Sequence, residues 1–343
     1  MDKKDIKEAS NVLDKAEKII IIISRPIDYD CLASGIVMYN FLKKMKKRIE
    51  IIAPVVIPEQ FYQLPQVINI TIQDTLKVDF SKYDLVITLD GGNTKQFAEV
   101  TKDKDFTFDG AKYILNIDHH AGNTNFAQEV LFDVKASSTA EVLLSSIIDL
   151  KTLSKDETTL LYSAIVWDTG NFLHNFTTQT LKIASELIKH GADYTFVLDH
   201  ILHNYHEGDF KLYAWLIDHT IYDYKQGYSY VVFDQKAVEK EFECKYPIVK
   251  HAMKLYATDY ATSVSKISIA FILWQQGKKV MIKIKGNSYR NRISLIELSL
   301  ALGGGGEGHF QFAPTDITGT VEDILEKIPK EIKKLRAKYN KNS

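Results

Sequence analysis

Cysteine is nearly absent from this chain of 343 residues, which carries only Cys31 and Cys244. Two thiols cannot build a disulfide framework, so a disulfide-stapled secreted scaffold is excluded and a reducing cytoplasm is expected. Long apolar runs are missing as well. Stretches such as Ile19 to Ile23 fall far short of the ~20 apolar residues that span a bilayer. The start, Met1-Asp2-Lys3-Lys4-Asp5, has no apolar segment of the signal-peptide kind, so none is expected. An excess of charge of either sign is also lacking: the net charge is −1 and the pI about 6.8. Proteins that grip long nucleic acid carry a basic excess, so a small phosphorylated ligand is the better expectation here. The basic stretch Lys327 to Lys341 reads as a solvated helix face. Finally, residues 1–117 contain no histidine.

What is present is ordinary for a globular protein, with 45% hydrophobic and 25% charged residues. The length suggests two domains. Residues 4–17 have an amphipathic helical pattern. Ile19 to Ser24 does not alternate, as expected of a strand buried on both faces of a parallel sheet. Leu32 to Lys47 reads as helix, and Arg48 to Val56, Tyr83 to Asp90 and Tyr113 to Asp118 as further strands. Strands alternating with helices predict βαβ units. Thr139 to Leu150, Glu157 to Val166 and Thr178 to His190 have helical spacing. Tyr228 to Phe233 reads as a strand, and Lys266 to Trp274 with Lys279 to Lys285 as a hairpin. Ser294 to Leu302 is a short helix that runs into Gly303 to Gly306. The expected organisation is α/β in two domains: a parallel-sheet domain over 1–190, a helical connector over 191–225, and a smaller mixed α/β domain over 226–343.

The acids fall at strand exits. Asp28 and Asp30 follow the first strand, Asp90 ends the third, and Asp118, His119 and His120 end the fourth. Ligands of open parallel sheets bind beyond the carboxyl ends of the strands. Asp and His donors converging there suit a divalent cation such as Mn²⁺ or Mg²⁺, and shared carboxylates suit two ions. Taken singly, each feature has a plainer meaning. An Asp after a strand is usually a helix N-cap, and Asp30 before Cys31-Leu32 fits that description. Cys31 itself reads as a small residue at a helix start.

In this arrangement the chain resembles the DHH phosphoesterases, in the two-domain branch that pairs the DHH domain with a DHHA1-type domain. That branch includes nano-RNases, 3′-phosphoadenosine 5′-phosphate (pAp) phosphatases and dinucleotide phosphodiesterases. The resemblance rests on Ile27-Asp28-Tyr29-Asp30-Cys31-Leu32-Ala33-Ser34, Leu89-Asp90-Gly91, and Asn116-Ile117-Asp118-His119-His120 with Asn123. It continues through Ala136-Ser137-Ser138-Thr139-Ala140-Glu141, Val166-Trp167-Asp168-Thr169-Gly170-Asn171-Phe172, and the glycine-rich Gly303 to Gly308 with His309. The resemblance implies a metal-dependent phosphoesterase acting on short oligoribonucleotides, linear or cyclic dinucleotides, or pAp. It implies metal ligation by Asp28, Asp30, Asp90, His119 and Asp168, with Asp90 bridging two Mn²⁺ or Mg²⁺ ions. His120 is implied as the catalytic group facing the scissile phosphate. Substrate is implied at His120, Asn123, Lys285, Arg290, Gly304, Gly305, Gly306 and His309. No membrane association is expected, and a homodimer is compatible with the pattern.

The chain departs from the family pattern at definite places. Ser24 stands where the family has a metal-binding His, and Pro26-Ile27 replaces the usual order before the first Asp. Lys283-Ile284-Lys285 replaces a Ser-x-Arg strand, leaving Arg290 or Arg292 as substitutes, and Glu307-Gly308 interrupts the run from glycine to His309. Lys neutralises a phosphate as a point charge without the bidentate fork of Arg. These departures leave two alternatives open: a nucleotide-binding homologue with impaired catalysis, and, on weaker grounds, an inorganic pyrophosphatase.

Overall fold

The computed structural model describes residues 1–100, 105–203, 207–242, 246–287, 289–305, 308 and 310–341. The chain divides into two compact units, Met1–Asn204 and Tyr205–Ser343. The division falls inside the stretch 191–225, whose two ends belong to different units.

In the first unit, α1 (Lys3–Lys15) leads into β1 (Lys18–Ile23), α2 (Tyr29–Lys44), β2 (Arg48–Ala53), β3 (Thr71–Ile72), β4 (Leu85–Leu89), β5 (Ile114–Asp118) and β6 (Glu129–Phe132). Four helices follow: α3 (Thr139–Leu144), α4 (Lys155–Asp168), α5 (Thr178–Lys189) and α6 (Tyr194–Val197). The strands form one sheet in the order β3-β2-β1-β4-β5-β6, with every pairing parallel. The strand order reverses direction at β1 and β4, which is where a doubly wound sheet opens its ligand crevice. All five isoleucines of β1 are fully buried. Ile19, Ile21 and Ile23 join one hydrophobic cluster and Ile20 and Ile22 another, so β1 is covered on both faces. This is why its sequence does not alternate.

Local chemistry sets the element ends. The N-cap of α2 is Asp28, not Asp30: its carboxylate accepts from the N–H groups of Asp30 and Cys31. Ser154 caps α4 and forms a reciprocal box with Glu157. Helix α3 stops at Leu144, shorter than the spacing 139–150 suggested. The strands β3 and β6 carry too few residues for a periodic signal and are not apparent in the sequence.

The second unit contains α7 (Glu207–Asp218), β7 (Ile221–Asp223), β8 (Tyr228–Phe233), α8 (Gln235–Glu241), α9 (Tyr246–Leu255), β9 (Ile269–Gln276), β10 (Lys279–Gly286), α10 (Leu295–Leu302), β11 (Phe312–Thr318) and α11 (Val321–Lys341). Its sheet runs β11-β10-β9-β8-β7, with β8 and β9 parallel and the other pairs antiparallel. The expected hairpin is β9–β10, turned by Gly277-Lys278 with Gly277 at φ +62°. The first hairpin strand begins at Ile269 because Lys266 sits at φ +69° and cannot continue a strand.

Candidate metal centre

The strand exits of the first unit deliver their side chains to one place. Asp30, Asp90, His119 and Asp168 form one group of mutually close donors. Asp90, His119 and His120 form a second, and Asp28, Cys31 and Asp90 a third. Asp90 belongs to all three.

Each position follows from local structure. Asp90 leaves β4 at φ +63°, a left-handed conformation that Asp tolerates better than most residues. Its Oδ1 accepts from Thr139 Oγ1 at 3.0 Å. Asp30, in the first turn of α2, is fully buried and held by two backbone donors, Thr139 N at 2.6 Å and Ala140 N at 3.0 Å, and by the Ser34 hydroxyl at 3.1 Å. The Ser-Ser-Thr-Ala-Glu segment therefore acts as a bracket. Ser138 caps α3, and Glu141 accepts from Ser137 N, Ser137 Oγ and Thr180 Oγ1. Asp168 is the last residue of α4, followed by Gly170, Asn171 and Phe172, all at positive φ.

The geometry around His119 tests whether these residues fit a cation. Its Nε2 is buried without a hydrogen bond. Three carboxylate oxygens nevertheless approach it: Asp168 at 3.3 Å, Asp90 at 3.6 Å and Asp30 at 3.9 Å. Those distances are long for hydrogen bonds. Ligands about 2.1 Å from one octahedral ion sit about 3.0 Å apart when adjacent and about 4.2 Å apart when opposite, which brackets the observed spacing. The donor set fits a divalent metal.

Electrostatics agree. Burial, then the charges of Asp30 and Asp28, push the Asp90 carboxyl well above the ordinary value. Burial and Asp30 push Asp168 up to about 7. Burial and Asp30 also raise Asp28. Burial disfavours charge on His119, but Asp168 and Asp90 overrule it and raise the imidazole well above its ordinary range. Without a cation, the cluster retains protons to relieve its own repulsion.

Asp118 and His120 do something different. Asp118 closes β5 and His120 follows two residues on, its ring 4.5 Å from that of His119 and its Nδ1 3.9 Å from Asp90 Oδ1. Asp118 Oδ1 meets His120 Nδ1 at 2.7 Å. Burial pulls the Asp118 carboxyl upward, yet His120 and then Asn123 hold it below its ordinary value. An ionised Asp118 requires a proton on His120 Nδ1, so Nε2 is the ring atom turned away from it. His120 is 31% exposed against 14% for His119. This orienting pair is readable in the sequence as an i, i+2 spacing on a strand exit.

Asn123, Arg290, Gly304 and Gly305, also expected to touch substrate, have structural occupations. Asn123 donates to Asn116 Oδ1 at 2.8 Å and Asp118 Oδ2 at 2.7 Å, and accepts from Asn125 N. Arg290 directs its guanidinium to the carbonyls of Ile267, Thr262 and Val264. Gly305 N donates to Thr315 Oγ1 at 3.1 Å. A Cβ on Gly304 would lie 2.0 Å from the same oxygen, so that glycine is required for packing. Lys285 lies 6.0 Å from the Phe312 ring, and burial lowers its ammonium from the usual lysine range. Gly306, Glu307, His309 and Cys244 lie outside the described residues.

A parallel α/β sheet with clustered acids and imidazoles at its strand exits has its polar site where such sheets bind ligands, and the likeness to known proteins makes it an enzyme of the phosphoesterase class. The DHH family, N-terminal domain, matches residues 18–165. The chain is 26% identical over 342 residues to a Mycoplasma genitalium protein named bifunctional oligoribonuclease and PAP phosphatase NrnA, covering 96% of this chain and 99% of the relative. A Streptococcus mutans protein, named a probable bifunctional oligoribonuclease and PAP phosphatase NrnA, is 31% identical over 46% of this chain and 48% of its own. The crystal structure of an exopolyphosphatase-related protein from Bacteroides fragilis shares the fold, with a TM-score of 0.82 and 18% identity over 99% of this chain and 98% of that one. Among the described residues no helix is long and apolar enough to cross a membrane.

Proposed function

We propose that the chain hydrolyses phosphoester bonds in small nucleotides at a divalent-metal centre held by Asp28, Asp30, Asp90, His119 and Asp168. The observation that carries this reading is the buried, unbonded Nε2 of His119 ringed by three carboxylate oxygens, with Asp90 shared between donor groups. Mn²⁺ or Mg²⁺ suits so oxygen-rich a set, and the shared carboxylate suits two ions. A bound ion supplies Lewis-acid polarisation of a phosphoryl oxygen and acidifies water. The protein's own contribution is placement. Asp118 holds His120 in one tautomer and one orientation, presenting Nε2 to a phosphoryl oxygen or a leaving group. The helix start at Thr139 and Ala140 fixes Asp30, and Thr139 fixes Asp90, so neither carboxylate reorganises during turnover.

Short oligoribonucleotides, dinucleotides and pAp are the proposed substrates, in keeping with the name of the Mycoplasma genitalium relative. Lys285 is the proposed phosphate contact of the second unit, acting as a point charge. The near-neutral net charge supports small substrates over long nucleic acid, and the scarcity of cysteine supports a cytoplasmic setting.

The test uses metal-stripped protein resupplied with Mn²⁺ or Mg²⁺ and offered pAp, short RNA oligomers, linear and cyclic dinucleotides, and pyrophosphate. Metal-dependent release of phosphate or mononucleotide is expected, with pyrophosphate a poor substrate. The Asp90→Asn variant keeps the left-handed turn and should be inactive. Undiminished hydrolysis by that variant, or by stripped protein in chelator, would sink the proposal. Tight nucleotide binding without turnover would instead favour the homologue with impaired catalysis.

A further inference from the structure

The third donor group differs in kind from the other two. Its members are Asp28, Cys31 and Asp90, and one of them is a sulfur. Cys31 is fully buried, in the first turn of the 16-residue helix α2. Its Sγ lies 3.3 Å from Asp28 N and 3.4 Å from Asp28 O, which fixes the side-chain rotamer. That rotamer brings the sulfur within 4.8 Å of carboxylate oxygens on both Asp28 and Asp90. Asp28 uses Oδ1 to cap α2, so its second oxygen is the one disposed toward a ligand. Ser24, the residue after β1, is buried with its N–H on the carbonyl of Leu89, the residue before Asp90, and it brings a hydroxyl but no imidazole. Within this group sulfur is the one donor other than oxygen, and the imidazole of His120, whose Nδ1 lies 3.9 Å from Asp90 Oδ1, is engaged by Asp118.

We propose that Cys31 ligates the ion on the Asp28 side of Asp90, as a thiolate. This rests on the metal-centre reading above and assigns one of its sites. At a tetrahedral centre, metal–sulfur and metal–oxygen bonds of about 2.3 and 2.1 Å put sulfur and oxygen about 3.6 Å apart. The three donors lie within 4.8 Å of one another. On binding, the thiol proton passes to solvent as the sulfur–metal bond forms, and the Asp28 N–H continues to donate to the sulfur. The first turn of a helix favours the negative charge that results. A mixed sulfur and oxygen site binds Zn²⁺, Fe²⁺ or Co²⁺ in preference to Mg²⁺, whereas the His119 side remains suited to harder ions. The two halves of the centre would then differ in metal preference.

Co²⁺ added to the metal-stripped full chain separates the possibilities. The proposal expects a near-ultraviolet thiolate-to-cobalt charge-transfer band, kept in Cys244→Ser and lost in Cys31→Ser. Visible d–d bands without the charge-transfer band would overturn the assignment of Cys31 and leave the carboxylate–histidine centre standing. Absence of both would overturn the metal centre as well. Should Cys31→Ser fail to fold, X-ray absorption of Zn²⁺-loaded Cys244→Ser protein decides the matter. A sulfur shell near ~2.3 Å supports the proposal, and a shell of oxygen and nitrogen alone refutes it.

Discussion

Removing the charge of Asp168 should stabilise the protein when no metal is present. Its carboxyl is pushed up to about 7 from 3.8, by burial first and Asp30 second. At roughly 1.4 kcal/mol per tenfold change in proton affinity, keeping it ionised in the folded state costs about 4 kcal/mol. The cluster titrates jointly, and His119 loses a charged neighbour when Asp168 is neutralised. About 2 kcal/mol is therefore the expected gain for Asp168→Asn, or roughly 4–8 °C in Tm. The sign follows from the raised value. Below about pH 4 the group is neutral both folded and unfolded, and parent and variant should agree. Between about pH 4 and 7 the unfolded chain ionises first, so the parent loses stability relative to the variant, and above pH 7 the gap is fully open. His119 adds to the trend, because a raised imidazole stabilises the fold at low pH and ceases to do so as pH rises. Thermal unfolding of chelated protein from pH 4 to 8 measures the gap. Adding Mn²⁺ should reverse the order, since an ion at 100 times its Kd stabilises the parent by about 2.7 kcal/mol and the variant by less. A chelated variant no more stable than the parent at pH 8 would refute the argument, as would equal stabilisation of both by metal.

Three further outcomes are expected. Glu157→Gln should cost about 1–2 kcal/mol near neutral pH, because the buried carboxylate closes the Ser154 capping box and receives Lys44 Nζ at 3.1 Å. Burial pulls Glu157 upward but Ser154 and Lys44 hold it below its ordinary value, so the penalty should vanish in denaturant titrations run below that depressed value. Asp118→Asn removes the charge and leaves one oxygen where His120 Nδ1 and Asn123 Nδ2 each meet one, so the His120 tautomer is no longer fixed; kcat should fall roughly 10²-fold or more with KM little changed, and steady-state kinetics read the split. Gly304→Ala places a Cβ 2.0 Å from Thr315 Oγ1 and 2.8 Å from Ser299 Oγ, which should cost about 1–3 kcal/mol in a denaturant melt.

The sequence carried the centre of the first unit because the physics there is one-dimensional. A strand covered on both faces, as β1 is, shows an unbroken apolar run, and an acid immediately after such a run has no packing purpose. Asp28, Asp30, Asp90 and His119 follow that logic. What escaped depended on partners distant in sequence or on orientation. Nothing local reveals that Thr139 and Ala140 would donate to Asp30, or that Asn123 would be committed to Asn116 and Asp118. Cys31 reads as a small helix-start residue until the fold shows what its sulfur faces. In the second unit a glycine run suggested a phosphate cradle, whereas the described part of it packs on Thr315, an interaction set by β11 that the sequence pattern did not disclose.

The donors come from four separated places, the start of α2, the exits of β4 and β5 and the last residue of α4, and the first residues of α3 brace them. None of these segments can hold an ion alone. During synthesis, the growing chain therefore has no complete site until α4 has emerged and docked, well after the sheet strands that frame it. A chain stalled or truncated before Asp168 would carry most of the ligands and retain little of the ion.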